Sequence, residues 1–201
     1  MLKATKPEDQ IYQRLHDFLV SSGPIDENCW PQTAALFTPI HLNKGEAVKR
    51  PDEKQTPIIF VGRGLLRYFF LDDEGQEWNK SFAAEESLSP PIVAKDFGEF
   101  PPFGIEALEN HTELLIANSQ DFQTYQSHQP WLDKICQKLI KDILKQRFLR
   151  EQSFLQEEAK QRYVKFCSQN PELLNRIPQY HLASYLGISE VSLSRIKKEL
   201  P

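Results

Sequence analysis

The residues whose types and spacing best fit a chemistry lie near the C-terminal end. Between Pro178 and Pro201, Ala183 stands four positions before Gly187, and Ser189 follows two positions after that glycine. Gly187 can take positive φ and end a helix, and Ser189 can cap the next one. Ala183 leaves room where two helices cross steeply. Leu182, Leu186, Ile188, Leu193 and Ile196 are spaced to fill the core between them. This pattern predicts a helix-turn-helix whose second helix runs from Glu190 to Leu200. Its outward face would present Ser189, Glu190, Val191, Ser192, Ser194, Arg195 and Lys198. An arginine can donate two hydrogen bonds to guanine, a glutamate can accept from cytosine, and short serines can reach a phosphate or a base edge. Those seven residues are the expected contacts to double-stranded DNA.

Other chemistries find no matching residues. The histidines, His16, His41, His111, His128 and His181, are scattered, and none forms an HxH pair for a metal. Cys29, Cys136 and Cys167 are too few and too far apart for a zinc or iron–sulfur site. Serine-nucleophile and phosphate-loop motifs are absent from the sequence. No catalytic residue, metal or cofactor is expected, and the chain is not expected to be an enzyme.

Charge points the same way as the motif. Residues 1–133 carry 11 Lys+Arg against 21 Asp+Glu, net −10, and residues 134–201 carry 13 against 7, net +6. A basic end on an acidic body suits a polyanionic partner. The 201 residues are 40% hydrophobic and 26% charged, an ordinary globular composition. No apolar run reaches the length of a membrane span, and residues 1–9 lack the apolar stretch of a secretory signal. With no disulfide framework, a cytoplasmic protein without a membrane partner is expected.

These residues need elements to hold them. Ile11, Leu15, Phe18 and Leu19 predict a helix from Glu8 to Ser21, stopped by Gly23-Pro24. Short alternating runs predict strands over Phe37–Leu42, Pro57–Val61, Leu65–Leu71, Glu77–Phe82, Gly104–Leu108 and Thr112–Ala117. The second and third read as a hairpin about Gly62-Arg63-Gly64, and the last two as a pair about Glu109-Asn110-His111. Many short strands separated by turns imply a sandwich or jelly roll. Ser119 is expected to cap a short helix from Gln120 to Ser127, and Pro130 suits the start of the next. From Trp131 to Gln156 no Gly or Pro occurs, which predicts a helix of roughly 39 Å.

That helix carries two apolar stripes: Leu132, Ile135, Leu139 and Ile143, and beside them Cys136, Ile140, Leu144 and Phe148. Two stripes imply two partners, the chain's own roll and a second copy of the chain. The spacing does not say which stripe faces which, so Leu132, Ile135, Cys136, Leu139, Ile140, Ile143 and Leu144 are all candidates for a dimer interface. A further helix from Glu157 to Ser168 and a short turn at Pro171–Arg176 lead into the terminal pair. The expected class is α+β, with a jelly-roll β-roll over residues 1–128, a central dimerisation helix over 129–156 and a helix-turn-helix domain over 157–201.

The order of these parts resembles the Crp/Fnr transcription regulators, and Pro171-Glu172-Leu173-Leu174, Ile177 to Ser189 and Leu193-Ser194-Arg195-Ile196 are similar to that family's Bacteroidetes-type branch. Leu42 to Glu46, Phe60 to Arg67 and Gly75-Gln76-Glu77 are similar to its cyclic-nucleotide-binding-like roll. The resemblance covers nearly the whole chain. It implies a homodimer with parallel central helices, a two-fold-related DNA site and a small-molecule effector whose identity the sequence does not give. Members that bind cyclic nucleotides carry Gly-Glu-Leu and then an arginine that clamps the phosphate. Here no arginine lies between Arg67 and Arg147, Gly98-Glu99-Phe100 sits too close to the next strand, and Glu85-Glu86-Ser87 lacks the glycine. Cyclic AMP is therefore not the expected ligand. Recognition helices of the catabolite-activator type begin Arg-Glu-Thr, where Glu190-Val191-Ser192 stands here. A different DNA target follows, read without a wing hairpin after the helix. Two alternatives stay open: a binding or interaction module whose helix-turn-helix no longer reads DNA, since Glu190 would repel phosphates, and cyclic-nucleotide sensing through a non-standard pocket.

Overall fold

The computed structural model describes residues 7–90 and 103–200. Gly98-Glu99-Phe100 and Pro101-Pro102 lie outside the described residues. Helix α1 (Pro7–Ser22) buries Ile11, Leu15 and Leu19, which share one face at four-residue spacing. A 3₁₀ turn (Glu27–Cys29) and α2 (Trp30–Ala35) follow, where the sequence predicts no element. They start from Asp26, whose side chain accepts from the Asn28 amide, and from a proline in the first turn of α2.

Eight strands then form the roll: β1 (Phe37–Leu42), β2 (Ala47–Lys49), β3 (Ile58–Arg63), β4 (Leu66–Leu71), β5 (Glu77–Ala83), β6 (Ser87–Leu88), β7 (Phe103–Ala107) and β8 (Thr112–Ala117). They make two four-stranded antiparallel sheets, ordered β1-β8-β3-β6 and β2-β7-β4-β5. Both expected pairings across turns are overturned by this order. β3 and β4 lie in different sheets, as do β7 and β8, so Gly62-Arg63-Gly64 and Glu109-Asn110-His111 are corners rather than hairpin tips. Gly64 shows why the first corner needs glycine: its φ is +99°, and a Cβ there would collide with the Thr112 hydroxyl. Ile59, Val61, Leu66, Ile105, Ala107 and Leu114 fill the space between the sheets.

Helix α3 (Ser119–Gln126) is capped by Asn118, not by the expected Ser119; the Asn118 side chain accepts from the amides of Gln120 and Asp121. The long helix α4 (Pro130–Gln156) runs 27 residues with proline in its first turn, as its sequence predicts. It leads into α5 (Ala159–Gln169), which starts two residues later than expected because Glu158 and Gln161 form a capping box. A 3₁₀ turn (Pro171–Leu173), α6 (Gln179–Leu186) and α7 (Glu190–Glu199) complete the chain.

The two stripes of α4 meet different surroundings. Leu132, Ile135 and Cys136 are buried in the chain's own core with α1, α3 and the first sheet, and Leu139 packs against the same core. This corrects the sequence assignment, which placed all four among candidates for a partner. Cys136 leaves the second stripe because it sits at the border between the two faces. What remains is Ile140, Leu144 and Phe148, extended about two further turns by Leu155. Leu144 is 44% exposed, Phe148 69% and Leu155 80%. No helix among the described residues is long and apolar enough to cross a membrane.

Candidate nucleic-acid interface

The C-terminal helix pair folds locally for the reasons its sequence gives. Gly187 has φ +69° and closes α6, and the Ile188 amide reaches back to the Ala183 carbonyl at 3.1 Å. Any Cβ on Gly187 would also land 2.7 Å from the Phe154 ring of α4, so the glycine serves the turn and a close approach at once. The Ser189 side chain caps α7 by accepting from the Ser192 amide. Leu182, Ala183, Leu186 and Leu193 are buried between the helices, joined by Tyr163, Phe166, Leu173 and Ile177.

The seven predicted contact residues divide into two groups. Glu190, Val191, Ser194, Arg195 and Lys198 line one shallow concavity along the outward face of α7. Ser189 and Ser192 instead sit at the cap, with their hydroxyls 2.9 Å apart. Gln179, the first residue of α6, lines the same concavity and was not singled out by the sequence reading. Its place at the start of the first helix was the signal available. Glu199, the natural intrahelical partner of Arg195, pairs with Lys160 of α5 at 3.4 Å instead. Arg195 makes no hydrogen bond or ion pair among the described residues, so its guanidinium is free on the exposed face.

The pair is also tied to the roll, by contacts that the sequence does not announce. Arg176, just before α6, donates to both oxygens of Glu85 and both of Glu109 at 2.8–2.9 Å. Leu65 and Leu108 from the roll's corners enter the core of the helical domain. The backbone amide of Asn79 of β5 donates to the Ser184 hydroxyl oxygen, and its side-chain amide donates to His181 Nδ1 at 3.1 Å and to the His181 carbonyl at 3.2 Å. Arg150 of α4 donates to the Tyr185 carbonyl and stacks over the Tyr185 and Phe154 rings. The C-terminal helix pair, the central helix and the roll are therefore connected through these contacts.

His181 makes part of that junction pH-sensitive. Burial and then the positive charges of Arg67 and Lys44 push its pKa down to about 4. Its Nδ1 accepts from Asn79 only when that nitrogen is unprotonated. An unfolded chain takes up this proton near pH 6.5, so between about pH 6.5 and 4 the unfolded state binds more protons. The histidine's contribution is complete above that window and lost as pH falls through it. Thermal unfolding followed from pH 7 to 4.5 should show a falling midpoint, with a shallower fall in His181→Gln. Equal slopes would remove His181 from the account.

Arg67, the last arginine before Arg147 in sequence, is already occupied. It is 3% exposed, lies over the Phe69 ring and pairs with Glu77 at 2.6 Å and Glu106 at 3.0 Å. Glu85, in the stretch that stands nearest the family's nucleotide signature, is held by Arg176 and by the Gly64 amide. Among the described residues no group of three His, Cys, Asp or Glu side chains could hold a metal ion.

Several solved structures share this architecture. FixK2 from Bradyrhizobium japonicum superposes with a TM-score of 0.71 at 15% identity, over 82% of this chain and 84% of that one. A protein from Eubacterium rectale assigned to the Crp/Fnr transcriptional regulators gives 0.66 at 15% identity, over 87% and 82%. The Thermus thermophilus catabolite activator protein gives 0.53 at 20% identity, over 86% and 82%. No family model and no curated protein matches the chain. The fold is thus the α+β fold of those regulators, a cyclic-nucleotide-binding-type roll followed by a helical C-terminal domain.

Proposed function

We propose that this chain, built on the Crp/Fnr fold, is a DNA-binding transcription regulator that works as a cytoplasmic homodimer. The observation that carries the reading is the outward face of α7: Glu190, Val191, Ser194, Arg195 and Lys198 lie together on a helix held at a fixed angle by its partner helix and by the roll. Two such helices, about 34 Å apart in a two-fold dimer, would enter successive major grooves. The partner surface is the stripe of Ile140, Leu144, Phe148 and Leu155 on α4, on the side away from the chain's own core. A change in the roll would then alter how the central helices lie and how far apart the recognition helices sit. Selection of random-sequence DNA with the purified protein should return a two-fold-symmetric site. Recovery of unselected DNA alone would defeat the reading.

Cyclic AMP is not the effector in this reading. The phosphate of a cyclic nucleotide needs a bidentate donor, and Arg67 is committed to Glu77 and Glu106. Titration calorimetry with cyclic AMP should therefore detect no binding tighter than about 10 μM. A lower dissociation constant would mean that another group supplies the clamp.

A further inference from the structure

We propose that Arg176 is a positioning residue for the recognition helix: through it the roll sets the placement of the helix-turn-helix within one chain, by a route that does not pass along the central helix. The inference rests on the reading of the chain as a DNA-binding regulator and adds a regulating contact to it.

Arg176 lies between the 3₁₀ turn at Pro171–Leu173 and the start of α6 at Gln179. Four of its five N–H groups are in use. Nε and Nη2 donate to the two oxygens of Glu109 at 2.8 Å, and Nη1 and Nη2 donate to the two oxygens of Glu85 at 2.9 and 2.8 Å. Both carboxylates come from corners of the roll. Glu85 stands between β5 and β6, and Glu109 between β7 and β8. A third corner joins them, because the Gly64 amide, between β3 and β4, donates to Glu85 Oε1 at 2.8 Å. Each corner carries a residue at positive φ: Gly64 at +99°, Glu86 at +57° and His111 at +57°. Among the described residues, Glu86 and His111 are the only non-glycine residues with positive φ. Residues with a Cβ seldom adopt that conformation, and it persists where the surroundings hold it in place. Here it marks the two corners that each offer a carboxylate to Arg176.

These corners are the platform on which the helical domain stands. Leu65 and Leu108 pack into the same core as Leu182, Leu186 and Leu193, and so does Ile177, next to Arg176. Helix α6 is held at both ends. At its far end Arg150 of α4 donates to the Tyr185 carbonyl and Arg162 of α5 to the Leu186 carbonyl. That anchor follows the central helix, whereas the Arg176 anchor follows the roll alone. Asn79 of β5 also meets α6, but through single hydrogen bonds, which constrain angle less than paired forks do. A planar guanidinium gripped by two carboxylates tolerates little change of angle. A shift of either corner is therefore passed to the approach of α6, or it breaks the pairs. Arg176 also keeps the corners together, since without it two like charges would face each other.

The test compares wild type with Arg176→Met and with a double variant that keeps Arg176, Glu85→Gln with Glu109→Gln. Hydrogen exchange of the full chain is the first arm. In both variants the amides of α6 and α7 should exchange about tenfold faster or more, while those of β1, β3 and β8 keep their wild-type rates. The second arm is binding to the selected two-fold DNA site and to the same site with one base pair inserted between its halves. Wild type should prefer the selected spacing by about tenfold or more, and both variants should lose most of that preference. A residue that only stabilised the fold would weaken binding to the two sites alike. Faster exchange in strands and helices together, unchanged exchange in α6 and α7, or a spacing preference in both variants as steep as in wild type would overturn the proposal. The exchange arm involves no DNA, so failure here is distinct from failure to select a DNA site.

Discussion

Leu144→Asp or Phe148→Asp should turn the protein from a dimer into a monomer at micromolar concentration, with the fold of each chain intact. Both side chains stand well exposed on α4, in line with Ile140 and Leu155. Three large apolar residues on one exposed face, with half-buried Ile140 in line, span about four turns of helix and would form the seam of the proposed parallel helix pair. An aspartate buried there without a partner costs several kcal/mol, enough to lower a dimer constant by orders of magnitude. The substitution leaves the chain's own core untouched, because that core uses the opposite side of α4. Leu139→Asp is the contrasting variant. Leu139 packs against the chain's own core, so its substitution should cost about 3 kcal/mol of stability, as is typical of a charge placed in a core, and the thermal midpoint should fall accordingly. Sedimentation velocity separates the outcomes. A wild-type monomer at micromolar concentration, or a Leu144→Asp dimer as tight as wild type, would assign the stripe another role. A split dimer should also lose most of its DNA affinity, since each chain then holds only one half-site.

The long helix shows what the sequence makes legible. Pro130 at the first turn and the absence of Gly or Pro beyond it fix α4 almost to the residue, because those signals act locally. The same holds for Gly187 and Ser189, whose turn and cap are settled within a few residues. The strand pairings are different. Alternation tells which face of a strand is buried, but a hairpin tip and a corner between sheets can carry the same glycines, and Gly62-Arg63-Gly64 proved to be a corner. The short elements α2, β2 and β6 hold too few residues to show a period. Asn118 and Ser119 are both good caps, and only the backbone angles decide between them. The junction was illegible for a further reason. Arg176 meets Glu85 and Glu109 across 91 and 67 residues of chain, and no spacing rule pairs charges at that range. Which apolar stripe of α4 turns inward also depends on where the roll sits, so two stripes could be found but not assigned.

Arg195→Ala should cost about 1–3 kcal/mol of binding to the selected DNA site and relax preference at one base pair in each half-site. The expectation depends on the guanidinium being free to reach a base. Had Arg195 been paired with Glu199, four residues on, the substitution would be nearly silent; Glu199 instead reaches Lys160, and Arg195 stands exposed in the concavity with Glu190, Val191, Ser194 and Lys198. Lys198 lies three residues further along the same face, toward the end of α7. A lysine there meets phosphates rather than base edges, so Lys198→Ala should weaken binding to all sequences alike and flatten the salt dependence by about one unit. Glu190, at the first turn of α7, can accept from cytosine N4 but repels phosphate. Its removal should change which sequence is preferred more than how tightly DNA is held. The three variants thus give three separable signatures on one surface: lost specificity, lost salt slope and shifted preference. Electrophoretic shifts on the selected site and on single-base variants, at two salt concentrations, distinguish them. If Arg195→Ala binds every sequence as wild type does, the base-reading role fails, and α7 would touch DNA only through its lysines or not at all.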